Sequence, residues 1–148
     1  MDEKKFKEII KFAIDKEIKS YNFYMNARQM TKYSGAKDMF SELSKEEVGH
    51  REMLEKLDMK KITQAKIEKV PDLKISDYIV DAEFKPDMPY AEILRMAIKM
   101  EERAFKLYNN MNKSNKDENL KKLFSLLANE EAKHKLRLEK IYDEEILK

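Results

Sequence analysis

Apolar positions in the first third of the chain recur at helical spacing. Ile9, Ile10, Ala13, Ile14, Tyr21 and Tyr24 share one face of a predicted helix, the polar run TKYSGAK breaks the pattern, and a second helix is expected to start near Asp38. The second stripe, Phe40, Leu43, Glu47, His50, Leu54 and Leu57, advances in steps of 3, 4, 3, 4 and 3 residues. Beyond Pro89 the same design returns. Ile93, Leu94, Ala97, Ile98, Phe105 and Tyr108 form one stripe, NKSNKD makes a turn, and Phe124, Leu127, Glu131, His134, Leu138 and Ile141 form another with the same steps. Between the two pairs, from about 58 to 89, lie all three prolines and the extended-looking run LKISDYIVDAEF. This pattern predicts an all-α fold, an antiparallel four-helix bundle of two helical hairpins (about 3–57 and 90–145) joined by one long crossover in a single domain, 1–148.

The two hairpins are copies of each other at a constant offset of 84 residues. EIIKFAIDKEIKSYNFY from Glu8 aligns with EILRMAIKMEERAFKLY from Glu92, and FSELSKEEVGHREMLEK from Phe40 aligns with FSLLANEEAKHKLRLEK from Phe124. A constant offset through both helices and the turn between them implies a pseudo-twofold fold.

The repeat places four acids and two histidines where apolar residues belong. Glu17 and Glu101 lie on the inward stripes of the first and third helices; Glu47 and His50, and Glu131 and His134, replace apolar residues in the second and fourth. In Glu-x-x-His the two side chains share one helical face, so a carboxylate and an imidazole address the same point from one wall. Glu fills 19 of 148 positions, so a Glu three residues before both histidines would arise by chance only about 2% of the time. Six inward polar groups are very costly in a dry bundle unless something satisfies them. Two divalent metal ions do so, since four carboxylates balance their formal charge and mixed O/N ligation suits iron or manganese. One Glu from each of two helices and one Glu-x-x-His from each of the other two is the ligand arrangement of carboxylate-bridged dimetal bundles. In that arrangement Glu47 and Glu131 bridge the metals, Glu17 and Glu101 are terminal ligands, and His50 and His134 bind one metal each.

Neighbouring residues are read more plainly. Glu46, Glu102 and Glu130 sit one residue off the stripes, as solvated acids or supports for the ligands. Tyr24 and Tyr108, seven residues after Glu17 and Glu101, are core aromatics whose phenols could also hydrogen-bond a ligating carboxylate of the opposite hairpin.

Composition narrows the chemistry further. There is no Cys, which excludes disulfides, thiolate zinc sites, iron–sulfur clusters and a Cys nucleophile. Lys and Arg number 31 against 29 Asp and Glu, a net charge of +2 that lacks the basic excess of a nucleic-acid binder. No run of apolar residues is long enough for a membrane span or a signal peptide, so a cytoplasmic protein is expected.

With Ala13, Glu17 and Tyr21 followed by Glu46, Glu47 and His50, and again Ala97, Glu101 and Phe105 followed by Glu130, Glu131 and His134, the chain resembles the rubrerythrin and ferritin-like di-iron carboxylate superfamily over nearly its whole length. The resemblance implies the ferritin-like topology, a centre of two iron ions with manganese or zinc as substitutes, and homodimers. It implies reaction of the reduced centre with hydrogen peroxide or dioxygen in oxidative-stress protection. Two departures matter. Without the four Cys of a rubredoxin domain, electrons must come from a separate donor such as rubredoxin. The extra carboxylate that rubrerythrins carry three residues after the third-helix Glu is here Ala104, which brings the ligand set closer to the ferroxidase centre of bacterioferritin. The expectation is therefore a di-iron peroxidase. Its rivals are a ferroxidase or iron-binding protein without peroxidase turnover, and a metal-free helical interaction module.

Overall fold

The computed structural model describes residues 3–32, 34–58, 72–74, 85 and 87–147. Among them are four α-helices and no strand: α1 (Glu3–Met30), α2 (Ser34–Lys56), α3 (Tyr90–Lys113) and α4 (Glu118–Glu145). The all-α, four-helix class expected from the hydrophobic pattern is thus present. Most of the crossover, including Pro71, Pro86 and nearly all of LKISDYIVDAEF, lies outside the described residues. No described helix is long and apolar enough to cross a membrane.

Two compact units divide the chain, one built on α1 and α2, the other on α3, α4 and Asp72–Lys74. In the first, α1 buries Phe6, Ile9, Ile10, Ala13, Tyr24 and Ala27, and α2 buries Met39, Phe40, Leu43 and Leu54. Each large side chain removed from water in this way contributes about 1.5–3 kcal/mol. Near the hairpin turn the Tyr24 ring stacks on Phe40 with centroids 6.3 Å apart, and Phe23 meets Tyr24 edge-on. The turn is tighter than the sequence suggests. Helix α2 begins at Ser34, a full turn before Asp38. Ala36 is buried one turn before Phe40 and so extends the stripe, while Gly35 falls in the first helical turn, where its low helix propensity matters least.

The second unit is fastened at both ends. Pro89, in extended conformation, caps α3 and accepts hydrogen bonds from the amides of Glu92 and Ile93; having no N–H itself, proline loses nothing there. Asp117 caps α4, its carboxylate accepting from the amides of Asn119 and Leu120. At the turn, the Asn112 side-chain amide donates to the Lys121 carbonyl and the Ser125 hydroxyl. At the open end, the Tyr90 hydroxyl donates to Glu145 (2.7 Å) and Arg95 donates to the Tyr142 hydroxyl (3.0 Å). Burial and the Glu145 carboxylate together push the Tyr90 phenol well above its usual range. Between these ends lie the buried Ile93, Leu94, Ala97 and Ile98 of α3 and Leu123, Phe124, Leu127 and Leu138 of α4.

Candidate metal centre

Each predicted ligand lies where its helix turns inward. Ala13 and Tyr24 bracket Glu17 on the buried face of α1, and Ala97, Ile98 and Tyr108 bracket Glu101 on α3. Glu17, Glu47, Glu101, Glu131 and His134 are all buried, none more than 4% exposed. His50 is the exception, its side chain 19% exposed.

Within the first unit, His50 Nδ1 stands 3.8 Å from Glu17 Oε2. The equivalent pair in the second unit, His134 Nδ1 and Glu101 Oε1, stands at 3.6 Å. The repeat seen in the sequence is therefore repeated in space, a helix-1-type Glu meeting the His of its hairpin partner. In the second unit the constellation is fuller: Glu101, Glu131 and His134 each offer a ligand atom, all within 4.8 Å of one another. Two carboxylate oxygens and one imidazole nitrogen converging in a buried space form the mixed hard and borderline donor set that iron and manganese accept. The donor chemistry thus fits the metal implied by the sequence.

Tyr24 and Tyr108 are completely buried. Of the three acids placed just off the stripes, Glu46 and Glu130 are half-buried, Glu130 lying 3.5 Å from Lys133. Glu102, expected to be either solvated or a support for the ligands, is not solvated. It is buried, with Lys135 at 2.6 Å and Lys106 at 3.2 Å.

Lys135 was not signalled by the hydrophobic pattern. It follows His134 directly, only 6% of its side chain is exposed, and its ammonium group faces Asp72 (2.7 Å), Glu102 (2.6 Å) and the fully buried Glu139 (3.9 Å). Burial alone would lower its pKa, but hydrogen bonds to Asp72 and Glu102 and the charge of Glu139 outweigh this and raise it. Burial likewise acts to raise the Asp72 carboxyl; its hydrogen bonds with Lys135 and the Lys74 amide, and their charges, win and hold it below the usual carboxylate range. The only signal of this cluster in the sequence is the spacing of Lys135 and Glu139 by one turn, a pattern that surface helices show routinely.

Over residues 1–74 and 92–147 the chain matches the sequence model of the rubrerythrin family. No curated protein and no solved structure matches it.

Proposed function

The chain belongs to the rubrerythrin family of ferritin-like proteins, and from that premise we propose that it is a di-iron carboxylate oxidoreductase that reduces hydrogen peroxide or dioxygen. The observation that supports this best is the buried convergence of Glu101, Glu131 and His134 in the second unit. Glu17, Glu47 and His50 supply the corresponding donors from the first. Glu17, Glu47 and His50, and Glu101, Glu131 and His134, would hold the metal ions. When bound, the pair of irons supplies two electrons to the oxidant.

The chain's own residues supply the rest. Four carboxylates would set a negative charge that favours divalent cations, and those of the second unit, Glu101 and Glu131, are buried away from bulk water. The Tyr24 and Tyr108 hydroxyls would hydrogen-bond ligating carboxylates and so hold their orientation. With no Cys in the chain, the reductant is a separate protein such as rubredoxin, and the working form is a cytoplasmic homodimer.

Anaerobic loading with two equivalents of ferrous iron, followed by hydrogen peroxide, should give a fast rise of ferric absorption that Glu47→Ala and Glu131→Ala abolish. Failure of the purified protein to take up iron would sink the reading. Ala104, in place of a fifth carboxylate, favours a second reading: a ferroxidase that oxidises iron stoichiometrically with dioxygen. Sustained peroxide consumption with an added electron donor separates the two, since a ferroxidase stops after one turnover.

A further inference from the structure

The two halves of the repeat differ most beside their matched ligands. One residue beyond Glu101 and His134, Glu102 of α3 and Lys135 of α4 meet at 2.6 Å, so two successive residues of each helix contact two successive residues of the other. The same positions in the first unit are Ile18 and Arg51. Ile18 carries no charge and is 37% exposed, and the Arg51 guanidinium instead meets Glu55 of its own helix at 3.8 Å. The hairpin with the cross-helix bridge has the shorter Glu–His pair, the more deeply buried imidazole and, among the described residues, the three-donor group that lies within one unit. The repeat thus carries its own control.

We propose that Lys135 is a positioning residue for the metal site, its bridge to Glu102 setting the rotation and register of α4 against α3 so that Glu131 and His134 converge on Glu101. This rests on the metal reading above. The mechanism is geometric. A buried ammonium between Glu102 and Glu139 has little freedom to move, because any displacement separates charges that have no water to turn to. A helix held by its residue 135 cannot rotate its residues 131 and 134, one turn and one residue away, out of the shared site. Asp72 adds a third carboxylate from the crossover, but it is half exposed and serves to hold its own segment rather than α4.

Cobalt(II) titration of the full-length protein, followed by visible ligand-field absorption and by competition with a chelator, tests the assignment. In Lys135→Met one of two cobalt equivalents should weaken more than the other, on the order of 10–100-fold, with an altered spectrum. Lys135→Arg should restore both affinity and spectrum. Glu102→Gln, which keeps the side-chain shape and an acceptor, should shift the same equivalent in the same direction and guards against a misfolded Met variant. Asp72→Asn should leave cobalt binding unchanged. The proposal is overturned if Lys135→Met binds both equivalents with wild-type affinity and spectrum while only its melting temperature falls. Equal weakening of both equivalents, or an Asp72→Asn variant that reproduces the loss, also overturns it. A wild-type protein that binds no cobalt removes the metal reading and this inference together, whereas a failure confined to the variants leaves the metal reading standing.

Discussion

At the scale of single residues, burial decides what a charged side chain can mean. Glu101 and Glu102 are neighbours on α3 and both are buried, yet only the first was legible as a functional group from the spacing of apolar positions. Glu101 lies on the stripe, so a helical period reveals it. Glu102 lies 100° away around the helix and is covered because Lys135 reaches across from α4, a tertiary event that no local pattern encodes. His50 shows the converse. Its place in the stripe matches that of His134, but its surroundings leave it partly exposed, because burial depends on everything packed around a position and not on the helix alone. Asp72 gives a pH test at this scale. Its folded pKa is held below the ordinary 3.8, so the stability it contributes is present above that value and lost as pH falls through the lower, folded pKa. The melting-temperature difference between wild type and Asp72→Asn should therefore be constant from about pH 5 to 8 and close in stronger acid. A difference that instead grew on acidification would contradict the Lys135–Asp72 pairing.

At the scale of helices, the boundaries follow from caps. Proline before α3 marks a start that the sequence read closely, and Asp117 caps α4 at the end of the turn read at NKSNKD. The start of α2 was misjudged because the whole polar run TKYSGAK was read as a break, whereas α2 takes in its last four residues, including Gly35 in the first turn. Gly49, by contrast, lies in mid-helix, exposed, and an added methyl group would meet nothing within 4 Å. Gly49→Ala should raise stability by about 0.5–1 kcal/mol in urea denaturation, since it restricts the unfolded chain and adds no clash. Asp117→Ala should lower it by about 1 kcal/mol, because the amides of Asn119 and Leu120 would lose their acceptor. Replacing Asp117 by Asn, which keeps the acceptor oxygen, should recover most of that loss.

At the scale of the whole molecule, five buried ionisable groups and the partly exposed His50 weigh against folding stability, a cost that a bound cation would offset. Metal binding to the folded state alone stabilises it by mass action, about 2.7 kcal/mol when free metal is 100 times its dissociation constant. Ferrous or manganous ions should therefore raise the melting temperature progressively, chelation should reverse the gain, and a His50→Ala, His134→Ala double variant should not respond. The repeat, visible in the sequence as an offset of 84 residues, returns in space, where Glu17 meets His50 and Glu101 meets His134 within their own hairpins. The unequal flanks of the two halves were not legible, since Ile18 against Glu102 and Arg51 against Lys135 look like ordinary surface drift until the cross-helix contact is seen.

The Glu102–Lys135 bridge also bears on how the second hairpin forms. Both helices carry apolar residues every three or four positions, so α4 displaced along α3 by one turn would still set leucine against isoleucine and lose little hydrophobic contact. Such a slip would, however, separate the buried Lys135 ammonium from Glu102, whose remaining cation would be the exposed Lys106 of its own helix. The bridge thus adds to the native register a preference that the hydrophobic pattern alone would not supply.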